Sequence, residues 1–361
     1  MNPLARVIVR QCAATGPMTV ADYMALALGH PEHGYYMTKD PFGRDGDFIT
    51  APEISQIFGE LIGLWCVVVW RSMGAPAKFI LCELGPGRGT LMADALRAAG
   101  QDPDFVRAAR IHLVETSPSL RERQRAALAG HAVTWHDRLE AVPDGPVLLI
   151  ANEFFDALPA HQLVRTQAGW RERLVAGNEA GLHFILSEAP PPAAALLSPG
   201  VLRTAPLGTV AETQPALLTT AATIAARIAE FGGAALIVDY GHAASAPGNT
   251  LQAVRRHRPH DVLAEPGTAD LTVHVDFEAL ARAAGAGVQC LGPVDQGEFL
   301  HALGIKARAG QLTAAATPDQ ARDIASGVAR LIEPDQMGTL FKALVLTRHD
   351  MEPPPGFEGR P

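Results

Sequence analysis

The feature that most constrains this chain is a short apolar run ending in a glycine-rich turn. Phe79-Ile-Leu-Cys-Glu-Leu84 is followed by Gly85-Pro-Gly-Arg-Gly89, and residues Thr90 to Ala99 then take helical spacing. A continuous apolar run of that length predicts a strand buried on both faces, as in a parallel sheet. Glycines at a strand-to-helix junction let the backbone come close to a ligand and leave free N–H groups at the helix start. Taken alone, the G-x-G-x-G spacing is shared by structural turns and nucleotide-binding folds.

The same alternation recurs downstream. Ile111 to Glu115, Val147 to Ala151, Ala234 to Asp239 and Ala343 to Thr347 predict further strands. Arg121 to Leu128 and Thr219 to Glu230 predict helices between them. Strands alternating with helices predict an α/β fold, a mainly parallel sheet with helices on both faces. Upstream, residues 4–30 have helical spacing with Thr19 as an N-cap. A turn-rich stretch follows, and helical spacing resumes from Ile54 to Met73 through Ile57, Phe58, Leu61, Ile62 and Trp65. Residues 1–75 therefore read as a helical N-terminal cap and 76–350 as the sheet domain. Two insertions interrupt that domain, at about 160–218, with hairpin-like strands, and at about 241–276, rich in His, Arg and Pro. Residues 351–361 read as a disordered tail.

With 361 residues the chain is long enough for two domains, or one with large insertions, at roughly 150 residues per domain. It carries 38 acidic against 30 basic side chains, a net charge of -8, and only four of the cations are lysines. That balance argues against general nucleic-acid binding, which needs cations to neutralise phosphates. The longest apolar run, Leu61 to Trp70, has ten residues, whereas a membrane span needs about 20. Cys12, Cys66, Cys82 and Cys290 form no CxxC pair and read as free thiols in a reducing compartment. The expectation is a cytoplasmic protein without a membrane span. The thirteen histidines show no HExxH or paired Cys/His spacing, so no metal site is expected.

Three segments carry chemistry. Glu115 ends the strand after the glycine turn, where an acid in doubly wound folds accepts hydrogen bonds from ribose hydroxyls. The glycine spacing is tighter than the dinucleotide G-x-G-x-x-G, and Glu83 would repel a pyrophosphate. Both points favour S-adenosylmethionine, with its amino group and sulfonium, over NAD. Asn152-Glu-Phe-Phe-Asp-Ala-Leu-Pro159 follows another buried strand, at the end where ligands of open α/β sheets bind. Its structural alternative is a helix N-cap by Asn152 with Phe154 and Phe155 in the core. Tyr35 and Tyr36 either line a substrate channel or pack the cap on the sheet. The basic run Val254 to His260 reads as a solvated loop.

ELGPGRGT at 83–90, LVETSPSL at 113–120 and ANEFFDALP at 151–159 resemble the MidA family of class I methyltransferases. So do HGYY at 33–36, GDFITAPEISQIFGELIG at 46–63, IVDYGH at 237–242, PGTADLTVHVDF at 266–277 and QGEFLHALGI at 296–305. The resemblance implies a Rossmann-like, seven-stranded methyltransferase sheet with a helical N-terminal region and inserted substrate-binding segments. It implies S-adenosylmethionine at Glu83, Gly85, Pro86, Gly87, Gly89 and Thr90, and ribose at Glu115 beside Thr116 and Ser117. Trp135, His136 and Asp137 would lie toward adenine, and Asn152 and Glu153 beside the sulfonium. The implied reaction is arginine N-methylation of a protein, in this family a subunit of respiratory complex I. Glu153 and Asp156 are the first catalytic candidates, Asp47 and Glu53 the second. Tyr35, Tyr36, Phe154 and Phe155 are candidates for the substrate wall, and a homodimer is the expected assembly. A non-catalytic cofactor-binding assembly factor, a small-molecule methyltransferase and an NAD-dependent dehydrogenase are the alternatives.

Overall fold

The computed structural model describes residues 1–38, 47 and 49–359. The chain forms two units. One comprises Met1–Phe48, Asp156–Thr219 and Ala244–Leu280; the other comprises Ile49–Phe155, Thr220–Ala243 and Ala281–Pro361. Of the turn-rich stretch, residues 39–46 and 48 lie outside the described residues, which removes Gly46 and Phe48 of the GDFIT motif from view.

The second unit carries the sheet that the alternation predicts. Its strands are β1 (Phe79–Leu84), β2 (Ala109–Val114), β3 (Val133–His136), β4 (Val147–Asn152), β5 (Gly233–His242), β6 (Gln289–Asp295) and β7 (Phe341–Thr347). They lie in the order β6-β7-β5-β4-β1-β2-β3. Only β7 runs against the others on this path. Every residue of β1 and β4 is buried, which is why both read as unbroken apolar runs. The fold is α/β with a mainly parallel sheet.

Sequence spacing finds β1, β2, β4, β5 and β7 but misses β3 and β6. β3 has four residues, none of them buried, at the sheet edge, so its pattern is too short and too wet to read. β6 contains Gly292-Pro293, and its register shifts between Leu291 and Val294. A proline without an N–H is tolerated there because β6 is the opposite edge strand.

The expected cap of residues 1–75 does not hold together. Its last helix, Gln56–Ser72, belongs to the unit of the sheet and packs on the helix Thr90–Ala99. Two glycines make the close approach. A Cβ on Gly63 would stand 2.3 Å from the Ala95 carbonyl oxygen, and one on Gly59 2.6 Å from Asp94 Cβ. Phe58, Trp65 and Trp70 of this helix join Phe79, Leu91 and Phe105 in one core, while Leu64 and Val68 stay exposed. The expected tail is also corrected through residue 359. Phe357 is fully buried against Phe299, ring centroids 5.4 Å apart, and the Trp65 indole N–H donates to the Pro355 carbonyl at 3.2 Å. Residues 360 and 361 lie outside the described residues.

The first unit holds the N-terminal helices Pro3–Thr15 and Val20–Gly29. Thr19 caps the second of them in a reciprocal box with Asp22. The segment expected as the first insertion folds into antiparallel strands His161–Thr166, Gly169–Asn178, Gly181–Leu186 and Val210–Thr213. The second supplies Gln252–Arg255, Arg258–His260 and Asp270–Thr272 as a small antiparallel sheet. Ile8, Tyr23, Met24, Tyr35 and Val175 lie in this unit's main core. Among the described residues no helix is long and apolar enough to cross a membrane.

The glycine contact gives a test. Gly63→Ala should overpack the helix pair and lower the unfolding free energy by about 1–3 kcal/mol. Gly310→Ala, in a helix with nothing within 4 Å of the new methyl, should be neutral or stabilising by about 0.5–1 kcal/mol. Urea titrations of the two variants compare them directly.

Candidate active site

The sheet order reverses between β1 and β4. From β1 the chain builds outward through β2 and β3; from β4 it builds the other way through β5. The crevice outside the carboxyl ends of such a pair is where open α/β sheets bind ligands. The glycine turn leaves β1 there, and Asn152-Glu153 leaves β4.

Gly85, Gly87 and Gly89 have φ of 59°, 53° and 84°, a region that favours glycine. At Gly85 space is short as well: a Cβ would meet Phe154 Cδ2 at 2.9 Å. The turn is closed by the Gly89 N–H on the Pro86 carbonyl at 2.7 Å and anchored to β2 by the Gly85 N–H on Val114 at 3.0 Å. Two buried acceptors lie at the ends of the flanking strands. Burial pushes the Glu83 carboxyl up to about 8, and its Oε2 has no hydrogen-bond partner among the described residues. Asn152 Oδ1 likewise has none, while Asn152 Nδ2 donates to Glu153 Oε1 at 3.1 Å.

Glu115 is buried at the end of β2. Its Oε1 accepts from the Ser117 amide at 2.8 Å and its Oε2 from Gln124 Nε2 at 3.2 Å. Burial raises its carboxyl above the usual range despite these bonds and a further one from the Thr116 amide. Gln124 also donates to the Gly87 carbonyl at 2.7 Å and accepts from the Trp135 indole N–H at 2.8 Å. The next two residues separate from this group. The His136 ring stacks on His112, Nε2 lying 2.8 Å from His112 Nδ1, and burial lowers the His112 ring to about 4. Asp137 is exposed and pairs with Arg121 at 2.7 Å. Of Trp135, His136 and Asp137, the hydrogen bonds tie Trp135 to the glycine turn.

The carboxylates expected to be catalytic fall into two groups. In the unit of the sheet, Glu153 has φ of 50°, a left-handed backbone uncommon for a residue with a side chain. Its amide donates to the Val238 carbonyl at 2.9 Å and its Oε1 accepts from the Ala51 amide at 2.8 Å. Glu53 accepts from the Thr90 hydroxyl at 2.5 Å and lies 3.6 Å from Arg88, so it braces the glycine turn and the helix start. In the other unit, Asp47 accepts from the Tyr35 hydroxyl at 2.8 Å and from the Arg256 amide at 2.7 Å. Tyr36 donates to Asp270 at 2.8 Å. Asp156 is buried, and its charge, second to desolvation, lifts the Asp270 carboxyl to about 8. Burial together with these acids holds both tyrosine hydroxyls protonated, far above the ordinary phenol range. Phe154 is half-buried and edge-on to the fully buried Phe155, so the first can wall a site and the second is core.

Three residues of these groups escape the sequence reading. Gln124 sits in a charged helix with no distinguishing pattern. Asp239, fully buried within β5, accepts from the Phe154 and Phe155 amides at 3.2 and 2.9 Å and so orders the loop after Glu153. Asp270 lies in the stretch PGTADLTVHVDF that carries the family resemblance, but nothing in that pattern singles it out from its neighbours.

The profile of a family described as "Putative S-adenosyl-L-methionine-dependent methyltransferase" matches residues 61–294. The mitochondrial protein arginine methyltransferase NDUFAF7 homolog of Drosophila melanogaster is 42% identical over 95% of this chain and 84% of its own length. NDUFAF7 of Homo sapiens is 37% identical over 97% of this chain and 84% of its own. A Burkholderia thailandensis crystal structure bound to S-adenosyl-homocysteine superposes with a TM-score of 0.82 at 30% identity, over 99% of this chain and 92% of that one.

The chain belongs to this methyltransferase family. It is an S-adenosylmethionine-dependent enzyme with the Rossmann-like sheet of that class. The dehydrogenase alternative falls with that finding. The expectation of a cytoplasmic protein is overturned as well, because the Drosophila, zebrafish and human relatives are named as mitochondrial proteins. The residues at the switch point fit the methyltransferase cofactor. An ammonium group can satisfy buried acceptors such as Glu83 Oε2 and Asn152 Oδ1, which otherwise carry a desolvation cost.

Glu83 makes stability depend on pH in a predictable sense. The folded carboxyl keeps its proton up to about 8, against an ordinary value of 4.5. Its contribution is therefore complete below 4.5 and is lost as the pH rises toward 8. In cofactor-free protein, Glu83→Gln should flatten the fall in unfolding free energy across that window, measured by denaturant titration at several pH values. Parallel curves for the two proteins would show that Glu83 ionises normally.

Proposed function

We propose that this methyltransferase methylates an arginine of a protein substrate, with a subunit of respiratory complex I as the substrate implied by the family resemblance. The relatives named protein arginine methyltransferases support the reaction type. The observation that carries the reading is Glu153, a carboxylate on a left-handed backbone at the end of β4, fixed by the Ala51 and Asn152 donors. A non-glycine residue is held in that conformation at a cost of about 1–3 kcal/mol, and such strain clusters at functional sites.

Bound S-adenosylmethionine supplies a methyl group on a sulfonium; as a guanidine nitrogen bonds to the methyl carbon, the carbon–sulfur bond breaks and S-adenosylhomocysteine leaves. A guanidinium is a poor nucleophile while its charge is delocalised. In this reading Glu153 grips two of its N–H groups, concentrates the positive charge on their side, and accepts the proton released from the attacking nitrogen. The glycine turn and Glu83 receive the amino-acid end of the cofactor, Glu115 the ribose, and Phe154 shields the reacting centre from water. Asp47 and Glu53 are assigned positioning roles, since each already holds a neighbouring loop. The buried Asp156, Asp270 and Tyr35 and the half-buried Tyr36 form the substrate-binding group of the other unit. The homodimer belongs to this proposal too, on the exposed Leu64 and Val68; a monomeric mass in sedimentation would remove it.

Glu153→Gln should lower kcat about 100- to 10,000-fold, while S-adenosylhomocysteine binding by calorimetry stays within about threefold, since the acid is assigned to the acceptor side. Methyl transfer is read by mass spectrometry on recombinant complex I subunits, with the modified residue sequenced. Full activity in the variant, or label on residues other than arginine, would overturn the proposal.

A further inference from the structure

Gln124 is completely buried on the helix Pro118–Ala127, and both N–H groups and the oxygen of its amide are engaged. Its two N–H groups go to the Gly87 carbonyl at 2.7 Å and Glu115 Oε2 at 3.2 Å. Its oxygen takes the Trp135 indole N–H at 2.8 Å. An indole nitrogen only donates and a carbonyl only accepts, so the amide can point just one way. One side chain thus joins the glycine turn after β1, the acid ending β2 and the aromatic residue of β3. On the backbone side Gly89 faces the same helix, where a Cβ would make ordinary van der Waals contact with the Gln124 Cα at 3.4 Å.

We infer that Gln124 is a positioning residue that sets the Glu115 carboxylate for the cofactor ribose and couples that setting to Trp135. The inference rests on the reading above that Glu115 receives the ribose. A carboxylate oxygen has two lone pairs. With one pair of Oε2 taken by Gln124 and Oε1 held by Ser117, the orientation of the group is fixed before any hydroxyl arrives. Without the Gln124 donor, a buried carboxylate of raised proton affinity has less reason to ionise and is free to turn about its last bond. Glutamate cannot substitute, since it would set a second carboxylate against Glu115 and a lone pair against the Gly87 carbonyl.

The test compares dissociation constants of S-adenosylhomocysteine and its 2′-deoxy analogue, by calorimetry, for the wild type and three variants. Wild type should prefer the hydroxylated ligand by about tenfold or more, as expected of a hydrogen bond to a charged group. Glu115→Gln and Gln124→Met should each lose most of that preference, and the double variant should lose no more than Glu115→Gln alone. Trp135→Phe removes the indole N–H together with part of the ring of a half-buried residue and should lose part of it. A purely structural Gln124 would weaken both ligands alike and leave the ratio intact, which would overturn the inference. If Gln124→Met does not fold, an unchanged ratio in Trp135→Phe has the same force. A wild type that does not distinguish the ligands would instead sink the assignment of Glu115 to the ribose, and the inference with it.

Discussion

Leu84 pairs with Val114 on one side and Ala151 on the other, in parallel ladders. That register brings the ends of β1, β2 and β4 level to within one residue, so the turns after them open onto one line. The glycine turn, Glu115 and Asn152-Glu153 are consequently neighbours although far apart in sequence. Extending the ladder, Val114 pairs with His136 and Val238 with Asn152, which brings Trp135 and Asp239 to the same rim. Buried apolar strands create this rim, and the hydrogen bonds of Gln124 and Asp239 then fix the loops upon it.

The rim is electrically unusual for a protein interior. Glu83 is fully desolvated without a cationic partner among the described residues, and Glu115 is nearly as buried, with Arg121 the cation close enough to offset part of that burial. Burying an acid without a counter-charge raises its proton affinity, and the cost is recovered when a cation or donor arrives. The first unit repeats the device with Asp270, whose proton affinity rises through burial and the nearby Asp156 and Asp47. Cationic groups are the ligands such places favour, whether the ammonium and sulfonium of a cofactor or the guanidinium of a substrate. The net charge of -8 adds a weak attraction of the same sign over longer range.

Much of the sheet was legible because its central strands are buried on both faces. β1 and β4 read as unbroken apolar runs, and the helix Thr90–Ala99 begins and ends where its spacing predicts. Edge strands gave no such signal: β3 is short and wet, and β6 is interrupted by Gly292-Pro293. The helix Gln56–Ser72 was legible as a helix but not in its allegiance, which Gly59 and Gly63 decide through contacts with residues more than thirty positions away. The glycine turn and Glu115 could be found from their places at strand ends. Gln124 could not, because its importance lies in three partners that only the folded chain assembles.

A stretch that reads as one motif need not serve one unit. Asn152 to Pro159 passes from one unit to the other between Phe155 and Asp156, and the GDFIT stretch does so between Phe48 and Ile49. Glu153 and Glu53 therefore share their unit with the glycine turn, whereas Asp156 and Asp47 share theirs with Tyr35, Tyr36 and Asp270. Four acids that look equivalent as candidates in the sequence thus divide by environment. Glu53 accepts from Thr90 and pairs with Arg88, and Asp47 accepts from a tyrosine hydroxyl and a backbone amide. Glu153 differs in backbone rather than in charge. Its left-handed φ of 50° turns the chain sharply after β4, and Asp239 holds the following amides in that turn. Relaxing the strain would reposition the carboxylate, so the backbone conformation and the chemistry assigned to the residue stand or fall together.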